Sequence, residues 1–111
     1  MIFYIKWLVR KGYNGFAVFP FIILKSTTCR TEILIYHERI HLRQQLEMLI
    51  LPFFIWYFTE YLIRRIQFGN WKDAYRNISF EKEAYDHEKN PHYLNNRRIW
   101  SWTYYLKGKR L

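Results

Sequence analysis

His37-Glu38-Arg39-Ile40-His41 sets two imidazoles four residues apart, with a carboxylate beside the first. In a helix, four residues bring a side chain back to nearly the same face, about 6 Å further along. Two neutral imidazole nitrogens at that spacing can share one ion. Zinc accepts them at about 2.0–2.1 Å, and a catalytic zinc site takes three protein ligands and keeps a fourth position for water. Glu38, next to the first histidine, is in reach of such a water. It suits the role of general base, removing a proton and returning it to a leaving amine.

A third ligand is expected from Ser79-Phe-Glu-Lys-Glu-Ala-Tyr-Asp-His-Glu88, which offers Glu81, Glu83, His87 and Glu88 on an amphipathic helix. Glu81 is the expected ligand. On a helical wheel it sits near the side bearing Ala84 and Tyr85, and the small Ala84 permits close approach to the His37 helix. Glu83 points away from that face and is the alternative. Cys29, eight residues before His37 and near the start of the same helix, is a poor ligand. A donor to a developing oxyanion would be Tyr85, His87, His92 or Tyr93, with no signal choosing among them.

The elements that must position these groups follow from periodicity and punctuation. Residues 2–9 and 15–24 are apolar runs rich in aromatic and branched residues, separated by Gly12 and Asn14-Gly15, and they predict two strands in a hairpin. Pro20 places the second strand at an edge or a bulge, and an edge strand can receive an extended peptide. Thr28 or Thr31 caps a helix through His37 and His41, which Pro52 kinks or ends. A second helix runs to about Gln67 and stops at Gly69. Another starts near Asn77 or Ser79 and runs to Lys89, and after Asn90-Pro91 a last one reaches about Leu106. The fold class is therefore α+β in one domain over residues 1–111: a small N-terminal antiparallel sheet, then a helical part with an active-site helix and a glutamate helix.

HExxH followed by Glu-x-x-Ala in a later helix, with 39 residues between His41 and Glu81, resembles the gluzincin clan of zinc metallopeptidases. At this length the chain is most similar to the minigluzincins. The resemblance spans roughly residues 16–90. It implies Zn²⁺ on His37, His41 and Glu81, Glu38 as catalytic base, a peptide or protein substrate, and Phe16–Leu24 in place of the strand that lines the substrate cleft. It also implies latency, with the C-terminal segment covering the cleft. One position departs from the pattern. Gluzincins often carry Asp four residues after the glutamate ligand to orient a ligand histidine, and here Tyr85 stands there with Asp86 beside it. Gln44 or Gln45, one turn beyond His41, is the local substitute.

Composition sets outer bounds. A 111-residue chain that is half apolar, with five Trp, ten Tyr and nine Phe, can bury about 65% of its unfolded surface in one core. A single cysteine excludes an internal disulfide and suits reducing surroundings. Lys6 interrupts the N-terminal apolar run and no small-residue cleavage site follows, so no secretory signal is read and a cytoplasmic location is expected. The net charge of +9 invites nucleic acid or an anionic membrane as partner. The basic residues are dispersed except for Lys107–Arg110, so an ordinary solvated surface is the expected reading of the charge, and nucleic acid is not the expected partner. The Trp100–Leu106 aromatic stripe is expected to be core. Met48–Thr59 is apolar but too short to span a bilayer, which takes about 20 residues. It is expected to be a buried core helix, the competing reading being a surface helix on the inner face of a membrane. A basic, aromatic, membrane-associated or binding module without catalysis is the alternative to the enzyme. No residue pattern sets an oligomeric state.

Overall fold

A computed structural model describes residues 1–9 and 11–107. The side chains of Cys29 and Lys107 lie outside that description, and with them the expectations placed on Cys29 and on the basic Lys107–Arg110 run. The chain folds as α+β, a small sheet followed by helices.

Three short strands form the sheet: β1 (Ile2–Tyr4), β2 (Gly15–Val18) and β3 (Phe21–Leu24), in the order β1-β3-β2. β2 and β3 are antiparallel, with Phe16 opposite Ile23, while β1 runs parallel to β3, with Phe3 opposite Ile23. The sheet is thus mixed, and the expected hairpin between 2–9 and 15–24 is not formed. The apolar run 15–24 is two strands, because Pro20 lacks an N–H and stands in the turn between them. That turn makes β3 the central strand and leaves β2 at an edge. Gly15 is required where β2 meets β3, since a Cβ there would come within 2.7 Å of the Leu24 side chain and 2.8 Å of the Ile23 carbonyl.

Helix α1 (Glu32–Met48) begins at Thr31, whose hydroxyl accepts from the Leu34 N–H. It ends at Leu49, whose φ of 62° breaks the helix. α2 (Ile50–Phe68) leaves at 112° to α1, with Pro52 in its first turn, where a missing N–H costs nothing, and stops at Gly69 in the left-handed region. α3 (Trp71–Arg76), capped by the Asn70 side chain, was not expected from the sequence. α4 (Ser79–His87) is the glutamate helix. The last expected helix is shorter: α5 (Tyr93–Asn96), an irregular stretch, and a 3₁₀ segment over Ser101–Lys107.

One core cluster joins α2, α4 and the 3₁₀ segment through Phe53, Ile78, Phe80 and Trp102. The other joins α1 to α4 through Tyr36, Ile40 and Ala84, so Ala84 does stand where the two helices approach. Gln45 of α1 clamps the sheet edge, accepting from the Phe19 N–H at 2.6 Å and donating to the Ala17 carbonyl at 2.8 Å.

α2 corrects the expectation of a buried core helix. Its inward side carries Phe53, Tyr57, Glu60 and Arg64, while Leu51, Ile55, Phe58, Leu62 and Ile66 face outward. Among the described residues no single helix is long and apolar enough to cross a membrane; α1 and α2 pass that test only when taken together across their bend.

Candidate metal centre

α1 and α4 pack side by side, and where they meet the structure brings His37, His41 and Glu81 together, all buried. Glu81 Oε1 lies 3.0 Å from His37 Nε2 and 3.0 Å from His41 Nε2, and the two nitrogens are 3.2 Å apart. Ligands about 2.0–2.1 Å from a tetrahedral ion stand about 3.3 Å from one another. The three atoms therefore need to open by only a few tenths of an ångström to hold one.

The outer faces of the imidazoles settle which nitrogen carries hydrogen. Gln44 Nε2 donates to the Phe80 carbonyl at 3.1 Å and to Glu83 Oε1 at 2.9 Å, which turns Gln44 Oε1 toward His41 Nδ1 at 2.8 Å. Glu88 Oε2 faces His37 Nδ1 at 2.9 Å. Both Nδ1 atoms thus donate, and both Nε2 atoms are turned toward the shared centre, as metal-ligating histidines require. Gln44 is the local substitute foreseen in the sequence. Glu88, considered only as a ligand, serves instead as the partner of His37, while the ring of Tyr85 packs against His37 at 4.5 Å.

Glu81 divides its oxygens. While Oε1 meets the histidines, Oε2 accepts from the Tyr57 hydroxyl of α2 at 2.6 Å. Tyr57 went unnoticed in the sequence, since nothing local tells which tyrosine of an aromatic helix turns inward. The charges agree with this geometry. Burial raises the Glu81 carboxyl, but the His41 and His37 charges and their hydrogen bonds outweigh it and hold the carboxyl well below the usual range. Burial lowers His37, yet its hydrogen bonds to Glu81 and Glu88 outweigh that and push it up to about 10. In the metal-free protein a proton therefore does the work of a cation between the three ligands.

Glu83, the alternative ligand, is elsewhere. Fully buried, it accepts from Arg97, from Tyr93 and from Gln44, and Arg97 also donates to Glu47 at 2.8 Å. Burial raises its carboxyl, but Arg97 and Tyr93 outweigh that and lower it.

Two adjoining cavities open beside the cluster, and Glu38, Tyr75, Tyr13 and Gly15 line both. One, of about 470 Å³, is walled by aromatic residues including Phe54, Tyr57 and Phe58, by the β2 edge, and by His41 and Glu81. The other, of about 420 Å³, contains His37 and has Lys72 and Arg76 on its wall. Glu38 is buried, and burial pushes its carboxyl up against the opposing pull of His41 and His37. A carboxylate so placed has raised proton affinity at the cleft between the cavities.

Of the four foreseen oxyanion donors, only Tyr85 lines the cleft; its hydroxyl donates to Tyr75 at 3.4 Å. His87 stacks on Tyr93 away from it, and His92 is exposed. Tyr75, supplied by the unforeseen α3, lines both cavities and was missed. Among the described residues nothing from 93 to 107 lines either cavity, and the last four residues, part of the expected C-terminal cover, lie outside the description.

Compared with family models, with curated proteins and with solved structures, the chain matches none. What stands on geometry is a buried His37–His41–Glu81 group able to hold a metal ion.

Proposed function

We propose that this chain is a zinc-dependent peptidase of the gluzincin type, with His37, His41 and Glu81 as ligands and Glu38 as general base. The observation that carries the proposal is the convergence of two imidazole Nε2 atoms and one carboxylate oxygen within 3.0–3.2 Å, in the wall of a cleft that Glu38 also lines. Two imidazoles and one carboxylate are a catalytic zinc set, against the all-oxygen shells that suit calcium or magnesium. Bound there, the ion would supply Lewis acidity and a water of lowered pKa.

The chain's own residues supply the rest. Glu88 and Gln44 hold the two imidazole tautomers, and Tyr57 holds the far oxygen of Glu81. Glu38, whose proton affinity is raised by burial, takes a proton from water and passes it to the departing amine. Tyr75, whose hydroxyl burial and the Glu81 charge keep protonated, is the cleft-lining donor suited to a developing oxyanion. β2 lies at the sheet edge and lines the cleft, but Gln45 occupies its Ala17 carbonyl, so an extended peptide would pair at that point only by displacing the Gln45 side chain.

Elemental analysis beside a peptide-cleavage assay tests this reading. The wild type is expected to carry one zinc per chain. His41→Ala and Glu81→Ala lose it, while Glu38→Ala keeps it and loses about 10²–10⁴-fold in kcat. Folded wild type that takes up no zinc would sink the proposal. Zinc with unimpaired cleavage in Glu38→Ala would remove its base.

A further inference from the structure

α2 is inverted relative to an ordinary surface helix. Its charged residues Glu60 and Arg64 point inward, where Glu60 accepts from the Ser79 N–H and hydroxyl at 2.6 Å each and lies 3.7 Å from Arg64. Leu51, Ile55, Phe58, Leu62 and Ile66, spaced four, three, four and four apart, make one stripe along its outer face. They are openly exposed: Leu51 at 70%, Leu62 at 61%, Ile66 at 85%. The stripe is continuous with the cleft, because Phe58 belongs to both, and the wall of that cavity also holds Leu8. Leu8 belongs to the exposed Lys6–Leu8 turn, whose Trp7 is 82% exposed.

We propose that the outer face of α2, together with the Lys6–Leu8 turn, is a docking surface for a bilayer of anionic lipids. Charge selects this occupant. Glu60 is the only acid on α2 and it is buried, so the exposed charge of the helix is Arg65 alone, with Lys6 on the turn. The chain as a whole carries +9. Apolar side chains with cations beside them match a headgroup layer of negative charge. A second copy would set the same cationic face against itself, each partner at +9, which disfavours that pairing. Docked this way, α2 lies in the plane of the surface with the aromatic cavity opening toward it. For the substrate, which rests on the peptidase reading above, this implies an apolar polypeptide segment met at the lipid interface.

The test is co-sedimentation of the full chain with vesicles of phosphatidylcholine alone and of phosphatidylcholine mixed with phosphatidylserine, at low and high salt. It is run beside Leu62→Asn/Ile66→Asn, with zinc content and thermal melting as controls of the fold. The wild type is expected to bind the mixed vesicles and not the neutral ones, and to release as salt rises. The double variant, folded and with the metal content of the wild type, is expected to lose more than about tenfold in partitioning, as removal of two exposed apolar side chains implies. Equal binding to neutral vesicles, no binding to either, or a dimer in solution that the double variant dissolves would each overturn the proposal. None of these readouts depends on catalysis, so a failed peptidase assay and a failed docking surface are told apart.

Discussion

The side chain on which the centre turns is Glu81, with one oxygen toward two imidazoles and the other toward Tyr57. Partners of this outer kind usually carry about 10–100-fold in metal affinity. Tyr57→Phe is accordingly expected to weaken zinc binding about tenfold while one site per chain still fills, measured by competition with a chromophoric chelator. Since His37 is held protonated up to about 10 in the metal-free protein, loading must expel a proton. Binding should therefore weaken as pH falls, and calorimetry in buffers of differing ionisation heat should register the release. Glu83→Ala separates structure from ligation: it strands Arg97 and should cost about 3–5 kcal/mol in denaturant unfolding, yet leave the zinc content of the folded fraction unchanged. That His37, His41 and Glu81 come together was readable beforehand, because helical spacing and one small neighbour, Ala84, are local facts. Tyr57, Tyr75 and the role of Glu88 were not, because they depend on where α2 and α3 are sent by turns that no spacing encodes.

Among the elements, α4 begins without a cap of its own. Its N-cap, Ile78, offers no side-chain acceptor, and Glu60 of α2 fills that place across the interface. Glu60→Ala leaves a buried N–H without a partner and is expected to cost about 1–3 kcal/mol, seen as a lower urea midpoint with unchanged slope. Leu49 shows the opposite case. It joins α1 to α2 at φ 62° and ψ 144°, a region hospitable to glycine, and is largely exposed. Leu49→Gly should therefore raise stability by about 1 kcal/mol. The start of α1, expected at Thr28 or Thr31, and the stop of α2 at Gly69 were legible because capping chemistry is local, but the break between the helices falls at Leu49 and not at Pro52, which α2 takes into its first turn. The strands were not legible: β1 pairs parallel with a segment some twenty residues on, and the Phe19-Pro20 turn hides inside an unbroken apolar run.

Over the whole molecule, the distribution of apolar surface departs most from expectation. Met48–Thr59 is apolar on all sides, so its pattern carries no information about which side is covered. Only the packed structure shows Phe53 turned in and Leu51 and Ile55 turned out. The same scale governs what chelation does. His41 and Glu81 are 40 residues apart in the chain, and everything in α2 and α3 lies between them. An ion held by both would close that length into a ring in the folded chain alone, and so would stabilise the fold by mass action. At free metal 100-fold above Kd, stability should rise by about 2.7 kcal/mol, which thermal melting with and without chelator measures. The ring also has an inside and an outside for a protease: trypsin should nick Arg65 and Lys72 sooner once the metal is withdrawn, while Arg30 and Lys25, beyond the ring, keep their former rates.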